Sequence, residues 1–194
     1  MERKIKEYFR AVLFILPLVV FLVTPATISA STTKPVVLGT TDKITVLDPA
    51  KTYDFYTWEI FHNIGEGLLK YKPGTTELVP GIAKSYEVSP DGREYTFKLR
   101  EGLKFTDGAP LDAAAVKWSV ERVMKLDLDP SWLVSAFVEK VEVVDDYTVK
   151  FVLKEPVSFF PALVATTPYI PVSPKTFPED KVAEPTVGHY GPYK

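Results

Sequence analysis

The chain has 194 residues, a formal net charge of -2, 46% hydrophobic and 25% charged side chains, and no cysteine. That length allows one or two small domains, and the mixture is globular rather than disordered. The charge balance excludes a strongly basic nucleic-acid binder, and the lack of cysteine excludes disulfides, thiolate metal sites and a cysteine nucleophile.

Residues 1–10 carry Arg3, Lys4, Lys6 and Arg10, and the apolar run Ala11–Val23 follows. That run is shorter than the roughly 20 residues a bilayer crossing needs. Small and polar residues, Thr24 to Ser31, come next. A basic start, a short apolar centre and a small-residue exit describe a secretory signal over residues 1–30, cleaved after Ser29 or Ala30 or retained as an anchor. The remaining chain is mildly acidic and is expected to work outside the cytoplasmic membrane. A single Asn, Asn63, no Gln and 17 Pro hint at a thermophilic source.

Lys34–Thr40 reads as a strand running into a loop, and Asp48-Pro49 as a turn. Tyr53–Lys70 reads as a helix capped by Asp54, with Trp58, Phe61, Ile64 and Leu68 at helical spacing. Gly65 and Gly67 interrupt its second half. Ala83–Val88 and Tyr95–Arg100 flank the turn Ser89-Pro90-Asp91-Gly92 and predict a hairpin, because apolar and polar residues alternate through the second segment. Asp112 is positioned to cap a helix with Val116, Val120 and Val123 on one face and Lys117, Glu121 and Arg122 on the other. Val138–Val144 and Tyr147–Lys154, joined at Asp145-Asp146, predict a second hairpin. Ser158–Ala165 reads as a short helix capped by Ser158, and the tail from Pro168 is irregular.

The stretch from Ala83 to Arg122 carries Ser-Pro-Asp-Gly, then Lys-Phe-Thr-Asp-Gly (104–108), then Val-Lys-Trp-Ser-Val-Glu-Arg (116–122). With Leu47-Asp48-Pro49 before it and VEVVDDYTVKFVLKEP after it, the text closely resembles the N-terminal part of the extracytoplasmic solute-binding proteins of family 5. These are the peptide- and nickel-type binding components of ABC importers. The final VGHYGPYK is similar to that family's Gly-Thr-Gly-Pro-Tyr turn but has His189-Tyr190 where one Thr is expected. The resemblance implies an α/β fold, locally α+β: the N-terminal part of a type II periplasmic-binding-protein-like clamshell with a hairpin-rich extra subdomain, the second lobe falling outside this sequence. It divides the chain into a signal (1–30), the first strand and helix of lobe I (31–80), the extra subdomain (81–165) and a return segment (166–194).

Open α/β sheets place ligands beyond the C-terminal ends of their strands, which singles out the loop at Thr41 and Asp42. Tyr53, Phe55, Tyr56 and Trp58 follow it. One reading lines a ligand cleft with Thr41, Asp42, Tyr53, Tyr56 and Trp58. The other packs Phe55 and Trp58 into the core and leaves Asp54 as a cap. Lys104–Gly108 and Asp112 read as structural, Asp145-Asp146 as a turn, and His62 as a surface or partly buried histidine. No nucleophile elbow, paired zinc histidines or P-loop occurs, so neither catalysis nor a cofactor or metal is expected. The function implied by the resemblance is solute binding, oligopeptide or related, with permease subunits as partners and with contact to the membrane only through the N-terminal signal. The alternative is an exported interaction module that pairs through exposed sheet edges; an exported hydrolase is a weaker third.

Overall fold

The computed structural model describes residues 39–183 and 188–191. The signal over 1–30 and the strand expected over Lys34–Thr40 lie outside them, apart from Gly39 and Thr40.

Helix α1 spans Phe55–Ile64. Asp54 caps it as expected, accepting from the Thr57 N–H at 2.8 Å. The helix stops at Gly65 instead of continuing to Lys70, and Leu69–Tyr71 forms strand β1, paired antiparallel with β2 (Leu78–Pro80). The bend is tightly packed: a Cβ on the C-cap Gly65 would sit 2.9 Å from the Ile170 side chain, and one on Gly67 would sit 2.9 Å from the carbonyl oxygens of both Leu69 and Val164, so glycines fit this turn away from the helix. Leu68 is fully buried all the same, from the strand side of this bend rather than from a helical stripe.

Strands β3 (Ala83–Val88) and β4 (Glu94–Leu99) form the first predicted hairpin. Helix α2 (Ala113–Leu126) follows, capped by the Asp112 carboxylate on the Ala115 N–H at 2.8 Å. After the short helix α3 (Trp132–Ser135), β5 (Val138–Asp145) and β6 (Thr148–Leu153) form the second hairpin. The four strands make one antiparallel sheet in the order β3-β4-β6-β5, with Tyr95 opposite Phe151 and Phe97 opposite Val149. Side chains alternate faces along a strand, so Tyr95, Phe97, Leu99, Val149, Phe151 and Leu153 all enter the core under α2, joined by Val116 and Val120. The other face carries charge: Lys98 reaches Glu87 at 3.0 Å, and Lys150 bridges Glu142 at 2.9 Å and Glu94 at 3.5 Å.

Helix α4 covers Phe160–Leu163. Ser158 does not cap it. Phe159 holds that position, and its side chain has no acceptor to offer; Pro161 in the first turn removes one of the N–H groups that would otherwise go unpaired. A 3₁₀ turn at Thr167–Tyr169 follows, and the buried Tyr169 hydroxyl donates to the Leu133 carbonyl at 3.0 Å. Burial pushes that phenol well above its ordinary value. Among the described residues no helix is long and apolar enough to cross a membrane.

Candidate functional site

The loop 40–47 is held against the start of α1. The Thr45 hydroxyl donates to Asp54 at 2.6 Å, and the Thr45 N–H reaches the Thr57 hydroxyl at 3.3 Å. Burial pushes the Asp54 carboxyl up, but hydrogen bonds from Thr45, Thr57 and Thr52 outweigh it and leave the group below the usual carboxylate range. Asp54 is therefore a charged anchor for this corner at neutral pH.

On that anchor sits a notch of about 180 Å³ lined by Tyr53, Asp54, Phe55 and Trp58. Tyr53 and Trp58 meet edge to face at 5.7 Å. The Trp58 indole N–H is spent on the Thr52 carbonyl at 2.9 Å, so the ring has only its apolar surface to offer. Phe55 is 95% exposed, which overturns its placement in the core. Of the sequence-predicted site residues, the structure brings Tyr53 and Trp58 together. Tyr56 is half-buried and outside the notch, and Thr41 and Asp42 are exposed on the loop without lining it. The Asp42 N–H bonds the Thr40 hydroxyl, a local turn.

Below the loop lies a node that sequence reading missed. Arg122, expected on the solvated face of α2, is 2% exposed. Its guanidinium grips the fully buried Asp48 with two bonds, 2.8 and 2.7 Å, and also donates to the carbonyls of Pro178 and Lys181. Asp48 further accepts from the N–H groups of Ala50 and Ala183. The guanidinium lies 5.5 Å from the Phe177 ring centroid and 6.0 Å from that of Trp118. Asp48 and Arg122 both stand in the stretches that carry the family resemblance, but nothing in the local pattern joins them, because they lie 74 positions apart.

The Lys104–Gly108 motif is structural, as expected, and its role is specific. Asp107 accepts from the Ala109 N–H at 2.9 Å and the Thr176 hydroxyl at 2.6 Å, and Thr106 holds residues 188–189. Those residues lead to Gly191, where a Cβ would run into the Ile64 carbonyl. Beside this contact opens a groove of about 530 Å³ along Gly65–Gly67 and Leu69–Lys70, with Ile170, Tyr190 and Gly191 opposite. His62, exposed, stands at its rim, where the Lys70–Glu66 pair also lies. No group of three or more His, Asp or Glu side chains among the described residues is arranged to hold a metal ion.

Residues 77–194 match the family described as bacterial extracellular solute-binding proteins, family 5 Middle. The chain is 36% identical over 130 residues to the probable D,D-dipeptide-binding periplasmic protein DdpA of Escherichia coli (strain K12), covering 64% of this chain and 25% of that protein. It is 35% identical over 146 residues to the glutathione-binding protein GsiB of the same strain, covering 73% and 28%. Among solved structures it is similar to the ABC transporter-associated periplasmic binding protein DppA from Helicobacter pylori in complex with peptide STSA, with TM-score 0.59, 30% identity, and coverage of 68% of this chain and 29% of that one. The chain thus spans less than a third of the length of each relative. Its mixed α/β elements with antiparallel sheets are part of the type II periplasmic-binding-protein-like fold. With more than half of its length matched, the chain belongs to the bacterial extracellular solute-binding proteins of family 5.

Proposed function

We propose that this chain supplies one wall of the solute cleft in an ABC importer's binding component, with an oligopeptide or related solute as its cargo and permease subunits as its partners. The observation that carries this reading is the aromatic shelf in which Tyr53 and Phe55 are held out to solvent beside the half-buried Trp58, on a corner where the Trp58 N–H and the Asp54 carboxylate are already bonded. An exposed aromatic surface of this kind favours ligand contact over packing. The relatives' names support the choice of peptide.

One open wall leaves a ligand's polar groups in competition with water, where each hydrogen bond nets only about 0.5–1.5 kcal/mol. The chain alone is therefore expected to bind di- to hexapeptides no tighter than the order of 1 mM. An NMR titration in that range should move the Trp58 indole and Phe55 ring signals. Phe55→Ala should weaken the interaction by about 1–2 kcal/mol while shifting folding stability by no more than about 0.5 kcal/mol, as an exposed position should. Peptide shifts that persist unchanged in Phe55→Ala would refute the shelf as the contact surface.

Residues 1–30 complete the proposal as an export address. Deleting Ala11–Val23 should leave the protein in the cytosol in a fractionation experiment. Recovery of the unprocessed full-length protein as a soluble cytosolic species would overturn that assignment.

A further inference from the structure

His189 is 6% exposed and lies between two aromatic rings, edge to face with Phe61 of α1 at 5.6 Å and with Phe177 at 5.5 Å. Its Nδ1 is buried and has no hydrogen-bond partner among the described residues. The backbone around it is fastened on both sides. The Thr106 N–H donates to the His189 carbonyl at 2.9 Å, the Gly188 N–H to the Thr106 hydroxyl at 2.8 Å, and the Ser173 N–H to the Gly188 carbonyl at 2.9 Å. Tyr190 and Gly191, the next two residues, form one wall of the 530 Å³ groove.

We propose that His189 is an acid-released latch, seated while its imidazole is neutral and expelled on protonation, so that residues 188–191 lift and the groove wall at Tyr190 and Gly191 opens.

A neutral imidazole leaves Nδ1 either a bare acceptor or a lone donor, whereas an imidazolium must satisfy two N–H donors and a full charge. Among the described residues the added Nδ1 proton or charge finds no acceptor in this slot, and an unpaired buried charge is costly. Asp48 is the carboxylate that acts on the ring, but its oxygens are already occupied by Arg122 and by the N–H groups of Ala50 and Ala183. Arg122 itself brings a like charge to the Phe177 ring. On the side of the 105–109 loop, Asp107 is taken by Thr176 and Ala109, and Lys175 donates to the Asp107 carbonyl. From α1 the nearest titratable neighbour in sequence is His62, which is exposed. Burial pushes the His189 imidazole below its ordinary value of 6.5, against the opposing pull of Asp48. The sign follows: with the folded value depressed, the seated state is favoured above the ordinary histidine value and loses ground as pH falls through the folded one.

Amide hydrogen exchange of the full chain at about pH 7.5 and about pH 5, a span that brackets the ordinary histidine range, tests the latch. After correction for the intrinsic rate, protection of the Thr106 amide should fall about tenfold or more in acid while β4 and β6 amides keep theirs. His189→Phe, which fills the slot without a titratable group, should make Thr106 protection independent of pH. Should that variant fold poorly, the ring-proton titration of His189 in the unaltered chain, followed alongside Thr106 exchange, decides the matter: the two must share one midpoint. Unchanged Thr106 protection in acid, an undiminished pH response in His189→Phe, or two separate midpoints would overturn the proposal.

Discussion

Arg122→Met should destabilise the protein by about 3–5 kcal/mol, the usual consequence of removing one member of a buried ion pair, measured as a shift of the urea midpoint at unchanged slope. Both side chains of the pair are essentially out of solvent, at 1% and 0% exposure. Among the described residues, removing the guanidinium leaves the Asp48 carboxylate with the Ala50 and Ala183 N–H groups alone. It also frees the carbonyls of Pro178 and Lys181. Arg122→Lys should recover little, since an ammonium cannot make two parallel bonds to one carboxylate while reaching two carbonyls. The double variant Asp48→Leu with Arg122→Met should lose less than either single change, because no buried charge is left unpaired. If Arg122→Met costs under about 1 kcal/mol, the carboxylate is being rehydrated, and the 173–183 segment is far looser than its bonds imply.

Phe97→Ala should cost about 3–5 kcal/mol, the range for emptying a buried aromatic site. Phe97 has no exposed surface. Its ring meets Phe151 edge to face at 5.7 Å and Tyr86 at 5.4 Å. It sits on a central strand, flanked by β3 and β6, so the backbone has little room to collapse into the void. The comparison with Phe55→Ala is informative: the same side chain is removed from a surface position, where neither the transfer nor the cavity cost applies. Equal stability losses at the two positions would contradict the burial described for both.

The elements that were legible in the sequence were those with a local rule behind them. Tyr95, Phe97 and Leu99 alternate with polar residues, and a period of two admits one face only. Asp54 and Asp112 cap their helices because their carboxylates reach an N–H three residues on, well within a reading window. The features that escaped are set by distant partners. The bend after α1 packs against Val164 and Ile170, far along the chain, which approach Gly67 and Gly65 closely. The burial of Arg122 is decided by Asp48, and an arginine beside Glu121 on an amphipathic helix looks like any solvated one. At the shelf, aromatic residues at helical spacing pointed to the core at least as readily as to a cleft. Three-dimensional exposure separates them, turning Phe55 outward while Phe61 on the same helix is fully buried.

Asp48 also sets a timetable for folding. Its bonds to Arg122 and Ala183 span 74 and 135 positions, whereas the hairpins close between residues such as Val88 and Tyr95. Closing a loop costs entropy that grows with its length, about 0.6 kcal/mol for each doubling, and non-local contacts form after local ones. By that ranking the two hairpins and α2 are expected to assemble while the carboxylate is still hydrated, with Arg122 reaching it next. Asp48 is then expected to give up its water only when the 173–183 segment has swung back and Ala183 supplies its last donor. The closing step of folding would thus fall to a segment that contributes no strand to the sheet; amide protection at Ala183 that appears later than protection in β4 and β6 during refolding would show it.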